Sequence, residues 1–336
     1  MTALTLKSDQ VSIRNGLTAH SRECRQHAHA TVALVADQAT QSGPELRAGE
    51  RGVHDWLVLT KHRISMMSTL TAAMGYVAAK RAVDLRLIPV VIGTMLLAMA
   101  ASALNEVQER DIDARMPRTR TRPIPSGRIS PRLATLVALT LIASGSIILA
   151  FAAGASTTAL GLLAILWYNG IYTPLKRITA FAVVPGSLIG ALPPAMGWAA
   201  AGGELGSPAL LALCFVFFMW QVPHFWLLAL RHQRGYASGG LPTLSMHFSN
   251  PQILRLVFTW TAASVAACAL LVVFQAITGR VASMALAAAG AWLLGRFWFM
   301  LDAPEDDQRS FRAFMDINWF ALVVMAAVAF DSLAGI

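Results

Sequence analysis

The sequence predicts an all-α, polytopic membrane protein with about nine transmembrane helices. Of its 336 residues, 56% are hydrophobic and only 13% are charged. Several apolar runs reach the roughly 20 residues needed to cross a bilayer. The formal net charge of +9 comes mainly from bases in short loops between those runs. That distribution is typical of membrane topology, so the expected surroundings are a lipid bilayer and no nucleic-acid partner is expected.

The beginning of the chain differs from the rest. Residues 1–50 are polar, mixed in charge and without helical periodicity, which predicts a mobile N-terminal extension. This segment has no apolar core of a secretory signal, and acids such as Asp9 and Glu23 disfavour a mitochondrial presequence. Residues 51–336 are expected to form the transmembrane domain.

Apolar runs place the spans in chain order near residues 64–79, 87–107, 131–152, 156–172, 179–200, 207–230, 252–274, 281–301 and 313–334. The fifth run contains Pro185, Pro193 and Pro194, which predicts a kinked or locally unwound helix. Basic residues concentrate in the loops after even-numbered spans. The positive-inside rule therefore places the N-terminus on the cytoplasmic side of a bacterial inner membrane, with the mitochondrial inner membrane as the alternative.

The second span leads into residues 105–127, NEVQERDIDARMPRTRTRPIPSG, where four carboxylates and five arginines are concentrated. If the helix continues through this segment, Asn105, Glu109 and Asp113 recur every fourth residue and lie on one face. We call these three residues the acidic row. Hard oxygen ligands in this arrangement suit Mg²⁺, which prefers one or two carboxylates together with water and substrate phosphates. The row is thus the candidate catalytic and metal-binding group.

Two arginines follow the row at the same spacing. Arg118 and Arg122 are placed to give forked hydrogen bonds to the oxygens of a diphosphate. Pro123 and Pro125 are expected to end the helix. The spacing alone leaves open a simpler interpretation, in which this is a solvated basic loop that orients the protein in the bilayer.

The acidic row resembles the first motif, N-x-x-x-D-x-x-x-D, of the UbiA-type intramembrane prenyltransferases. Further stretches look like the haem O synthase (protohaem IX farnesyltransferase) branch of that family, and the resemblance extends from about residue 57 to the end. These stretches are Leu59–Ser65, Asp111–Asp113, Met116–Pro123, Tyr172–Arg177, Gly190–Trp198 and Trp220–Trp226.

The resemblance implies a prenyltransferase with nine helices around a central cavity and with Mg²⁺ as cofactor. For this branch the donor would be farnesyl diphosphate and the acceptor a vinyl group of haem B, giving haem O. Haem A synthase or terminal oxidase assembly would be the protein partners.

Two departures from the family pattern matter. Position 109 is Glu where the motif has Asp, which keeps the charge on a longer side chain. The family also has an Asp directly before the residue matching Tyr236, and this chain has Gly235 there. No acid lies between Glu204 and Asp302, so a second acidic site is absent from that part of the sequence.

Several other residues are candidates for substrate binding. Lys176 and Arg177 end the fourth span on the side of the acidic row, as phosphate contacts or as interfacial anchors. Arg231 and Arg234 could take over some charge neutralisation beside Tyr236. His224 lies in an apolar, aromatic run, where an ionisable residue indicates a functional role. It is either a haem contact or a histidine satisfied by a neighbouring group, with Gln221 as the partner one turn away.

Three alternatives to haem farnesylation remain at this point. The acceptor could be another molecule, such as a quinone precursor. The missing acid at position 235 favours a low-activity paralogue that binds haem or an isoprenoid during oxidase assembly. A transporter is the third alternative, although the sequence has no evident internal repeat of the kind transporters often show.

Overall fold

The structure is a computed structural model that describes residues 48–301 and 307–335. Contacts divide the chain into two compact units, residues 1–53 and 54–336. Of the first unit, only residues 48–53 are described, so most of the extension predicted for residues 1–50 lies outside the described residues. The described residues are helical and contain no strand, which confirms the predicted fold class.

The helices are, in chain order, α1 (Ala48–Leu59), α2 (His62–Lys80), α3 (Leu87–Asp113), α4 (Pro131–Ala153), α5 (Ala155–Ile165), α6 (Leu188–Ala200), α7 (Pro208–Arg231), α8 (Gln233–Ser238), α9 (Asn250–Val273), α10 (Arg280–Leu301) and α11 (Asp307–Ala334). α5 continues into a π-helical segment, Leu166–Tyr172, and a last turn, Thr173–Leu175. Short helical turns at Ala180–Ala182 and Val183–Gly186 lead into α6.

Seven helical segments of the described chain are long and apolar enough to cross a membrane. They correspond to all the predicted spans except the first and the fourth. α2 covers the first predicted span, but the charged residues at its ends lower its mean hydropathy. The fourth is divided between α5 and its π-helical continuation. The protein is therefore a multi-pass membrane protein, and the count of nine stays a prediction.

The interrupted helix predicted for residues 179–200 is confirmed. The chain breaks at Ser187, between Val183–Gly186 and α6, while Pro193 and Pro194 are buried inside α6. Here α2 and α6 pack backbone to backbone. A Cβ on Gly197 would lie 1.8 Å from the Ala72 carbonyl oxygen, so only glycine fits. Small residues at such a crossing let membrane helices approach closely.

α3 carries the acidic row. It runs without interruption through Asp113, as the spacing argument required. The expectation that Pro123 and Pro125 end this helix is wrong, because it ends ten residues earlier by turning after Asp113. There the Thr119 hydroxyl donates a hydrogen bond of 2.9 Å to the Asp113 carbonyl oxygen. The arginines that follow are therefore presented by turns.

Candidate active site

The acidic row lies on one buried face at the C-terminal end of α3. Asn105, Glu109 and Asp113 are 1%, 5% and 1% exposed. Asn105 accepts a hydrogen bond of 2.6 Å from the Lys61 ammonium and donates one of 3.1 Å to the Thr173 hydroxyl. The amide is thus fixed from two sides, by the turn before α2 and by the turn after the π-helical segment.

Both carboxylates of the row are paired with a cation. Lys176 pairs with Glu109 through Nζ and Oε1, and Arg122 Nη1 lies 2.6 Å from Asp113 Oδ2. Together with Lys61, each oxygen-bearing side chain of the row therefore has its own cationic partner. This arrangement brings together three residues predicted from spacing, two predicted as phosphate contacts, and one that the sequence analysis did not select.

Lys61 is the site residue that sequence reasoning missed. It forms the turn between α1 and α2 with φ 45° and ψ 48°, a left-handed conformation that is unfavourable for a residue with a side chain. Burial and the positive charges of Arg122 and Lys176 lower the pKa of Lys61 to about 8. The only sequence signal was its place in the stretch Leu59–Ser65, since its partner Asn105 is 44 residues away.

The end of α8 packs against the end of α3 and the turn that follows it. A Cβ on Gly239 would come within 3.2 Å of Met116 and Ile112, so this end of α8 packs on the turns after α3. Burial raises the pKa of Tyr236, and neighbouring Arg118 lowers it. The charge of Arg118 thus acts on Tyr236, and both are predicted site residues.

The electrostatic neighbours of Arg118 and Tyr236 connect them to the row. Partial burial and Arg122 lower the pKa of Arg118. The charges of Glu109 and Asp113 both act on Tyr236. Arg118 and Tyr236 thus belong to the same electrostatic cluster as the row.

Other predicted residues have different surroundings. Arg177 donates to the Gln108 carbonyl oxygen of α3, so it joins the fourth span to α3 without contacting the row. The Arg231 guanidinium lies 4.0 Å from the centre of the Phe311 ring in α11, a cation–π contact. The side chain of Arg234 is outside the described part of the chain.

His224 lies in the C-terminal half of α7 and is enclosed by aromatic rings. Its ring centre lies 4.8 Å from that of Trp220 and 4.9 Å from that of Phe314. The prediction that Gln221 is its partner is wrong: Gln221 packs against Gly190. Among the described residues, neither His224 Nδ1 nor Gln221 Oε1 has a hydrogen-bond partner.

An aromatic series connects the two regions. The Lys176 ammonium lies 5.8 Å from the centre of the Tyr172 ring, which stacks on Tyr168 at 5.8 Å and lies 6.0 Å from Phe225. Phe225 meets His224 edge to face at 5.4 Å. A surface depression of about 480 Å³ lies at residues 83–92, away from the row, and the central cavity stays a prediction.

The donor set of the row fits a magnesium ion. Two carboxylates and an amide oxygen on one helix face leave coordination positions for water and phosphate, as Mg²⁺ prefers. The described residues hold no group of three or more His, Cys, Asp or Glu that would form a closed site.

A model of the UbiA prenyltransferase family matches residues 65–323. The chain belongs to this family. It is 38% identical over 277 residues to the protoheme IX farnesyltransferase of Oleidesulfovibrio alaskensis, across 82% of this chain and 95% of the relative. It is 35% identical over 302 residues to the protoheme IX farnesyltransferase of Gloeobacter violaceus, across 89% of this chain and 97% of the relative.

Solved structures share the UbiA fold. A digeranylgeranylglyceryl phosphate synthase structure has a TM-score of 0.69 at 14% identity and covers 84% of this chain and 99% of its own. A UbiA homologue from Archaeoglobus fulgidus, bound to GPP and Mg²⁺, has a TM-score of 0.58 at 16% identity, covering 82% and 99%. At these identities the likeness shows the fold alone.

Proposed function

We propose that this chain is a Mg²⁺-dependent prenyltransferase that moves the farnesyl group of farnesyl diphosphate to a vinyl group of haem B, giving haem O. The observation that carries the proposal is the buried acidic row with its three cations, in a UbiA family member similar over most of its length to protoheme IX farnesyltransferases. The row and its cations suit a metal diphosphate, and the similarity to these relatives is the basis for proposing haem B as the acceptor.

The donor side of the reaction is assigned to the row and its cations. Asn105, Glu109 and Asp113 would hold Mg²⁺, which when bound neutralises charge that develops on the leaving diphosphate. Arg122 supplies a fork of donors for phosphate oxygens, and Lys176 adds a mobile point charge. Lys61, Arg118 and Tyr236 surround the same position.

The apolar part of the donor is assigned to the aromatic series beside Lys176. Tyr168, Tyr172 and Phe225 form an apolar wall next to the charged cluster. Such a wall keeps water away from the reacting allylic carbon. Their ring faces also favour positive charge that develops on that carbon.

The acceptor side is assigned to His224. Its imidazole lies at the end of the aromatic series; the ring is hydrogen-bonded to the Asn318 side chain, while its Nδ1 lacks a hydrogen-bond partner among the described residues. A His224→Phe variant keeps the ring packing and removes the polar atoms. We expect a raised KM for haem with an unchanged KM for farnesyl diphosphate. An unchanged KM for haem would remove this role.

The outer bases are assigned to anionic substrate groups. Arg231 ends α7 and Arg234 lies in α8, the helix of Tyr236; we assign diphosphate oxygens or haem carboxylates to them as ligands. Replacing each by Gln should raise the KM of one substrate selectively, as measured by steady-state kinetics. If the KM values for both substrates stay at those of the native chain, a binding role is excluded.

Location and partners follow from the same proposal. We place the N-terminus and the acidic row on the cytoplasmic side of a bacterial inner membrane, with haem A synthase or terminal oxidase assembly receiving the product, and residues 1–50 as a separate extension. Labelling of single cysteines introduced at exposed positions 120 and 85, from one side of sealed vesicles, tests the orientation. If position 120 is labelled only by reagent added outside whole cells, the assigned orientation is reversed.

The activity test uses the purified chain with farnesyl diphosphate, haem B and Mg²⁺, and chromatography of the haems. Haem O should form, and chelation of the metal should stop its formation. A quinone precursor in place of haem tests the other acceptor. Failure of the native chain under conditions in which a close relative forms haem O would defeat the proposal and favour the paralogue that Gly235 suggests.

A further inference from the structure

Three cations occupy oxygen atoms of the acidic row. Lys61 bonds to Asn105, Lys176 pairs with Glu109 and Arg122 pairs with Asp113. A divalent cation arriving alone is repelled by these positive charges and finds the ligand oxygens already paired, whereas an anion is attracted by the same cations.

The exposed fractions of the cationic and acidic side chains show which of them a ligand arriving from solution meets first. The Lys176 and Arg122 side chains are 23% and 20% exposed, while those of Glu109 and Asp113 are 6% and 1% exposed. The ligand oxygens thus lie behind the cations that pair with them. Long lysine and arginine side chains can change partner without backbone movement, so the row becomes accessible when its cations turn towards another anion.

We propose that Lys61, Lys176 and Arg122 occupy the metal ligands until diphosphate withdraws them, so that the divalent ion and diphosphate bind with strong positive coupling. This inference rests on the proposed function for the identity of the diphosphate. Diphosphate oxygens offer the cations better partners, and the released row then completes the metal's coordination. Because coupling is reciprocal, the metal raises diphosphate affinity by the same factor.

Equilibrium dialysis of the full purified chain tests this with radioactive Mn²⁺ as the metal and inorganic pyrophosphate as the anion. The excess of Mn²⁺ in the chamber that contains the protein over the other chamber gives the amount of metal bound. This measurement needs no reaction. We expect Mn²⁺ to bind at least about tenfold more tightly with pyrophosphate, within the usual range of such couplings. Equal Mn²⁺ affinity with and without pyrophosphate would overturn the inference.

Variants separate the cations from other causes of coupling. In Lys176→Met and Lys61→Met, Mn²⁺ alone should bind about tenfold more tightly than in the native chain, and the coupling factor should fall. Lys176→Met leaves the buried Glu109 carboxylate without that cation, whereas Lys61→Met removes a partner only from the neutral Asn105 amide. Lys61→Met is therefore the variant to use if Lys176→Met does not fold. Lys80→Met, at an exposed position at the far end of α2, is the control. Native coupling without tighter metal binding in either variant would also overturn the inference.

The outcome is distinguishable from failure of the proposed function. Coupled binding of Mn²⁺ and pyrophosphate without any haem O would contradict the assigned acceptor and leave the coupling intact. Uncoupled binding together with haem O formation would contradict the coupling alone. Absence of Mn²⁺ binding under both conditions would remove the row as the metal site.

Discussion

Replacing Asp113 by Asn removes one charge from the acidic row and keeps the shape of the side chain. Asp113 is almost fully buried and its bond to Arg122 is 2.6 Å long. A charged hydrogen bond of this kind contributes about 1.5–3 kcal/mol, which corresponds to about 10- to 150-fold in affinity. Loss of this carboxylate also weakens the proposed site for the ion that would neutralise charge on the leaving diphosphate, and removing one group that stabilises developing charge costs about 100- to 1000-fold in rate. We therefore expect kcat/KM to fall by at least about 100-fold.

Asp111 supplies the matched control two residues away. Its side chain is 73% exposed and lies 3.6 Å from Arg110, and an exposed pair of this kind contributes about 0–1 kcal/mol. Asp111→Asn should therefore lose less than about tenfold. The assay is haem O formation by both purified variants at several Mg²⁺ concentrations, with melting measured in parallel. Equal activity of Asp113→Asn and the native chain would refute the metal-binding role of the row.

Three further predictions concern the diphosphate, the missing acid and the helix crossing. Arg122→Lys replaces a fork by a point charge and should raise the KM for farnesyl diphosphate about tenfold; the exposed control Arg120→Lys should not, and equal values would remove the role of Arg122. Gly235→Asp fits sterically, because its Cβ meets nothing within 4 Å. If the native row holds the metal, as we propose, the gain in turnover should be below about tenfold; a far larger gain from a nearly inactive native chain would favour the paralogue. Gly197→Ala should destabilise the protein by about 1–3 kcal/mol or more through overpacking, whereas Gly295→Ala meets nothing within 4 Å and should stabilise α10 slightly. Equal melting temperatures for these two variants would contradict the close α2–α6 crossing.

Local rules were sufficient for the acidic row and most of the fold. The spacing of Asn105, Glu109 and Asp113 predicted one face because α3 is a regular helix through Asp113. Hydropathy located the long helices, and proline content predicted the break before α6, because both depend on a few neighbouring residues. The end of α3 was misplaced because a side chain, that of Thr119, takes up the last carbonyl before any proline is reached.

Long-range contacts could not be read from spacing. Lys61 and Thr173 reach Asn105 across 44 and 68 residues, and no local pattern indicates either pairing. The expected hydrogen bond between Gln221 and His224 is not formed for a related reason. Gln221 packs into the space beside Gly190 of α6, and this is a contact between two helices. Tertiary packing, which sequence periodicity does not contain, decided these positions.

The most direct test of the central claim is mass spectrometry of the haems extracted from a haem O-deficient host that expresses this chain. The native protein should restore haem O, and an equally abundant Asp113→Asn protein should not. Persistent absence of haem O with the native chain present in the membrane would contradict farnesyl transfer to haem. Its equal formation by both proteins would contradict the requirement for the buried carboxylate.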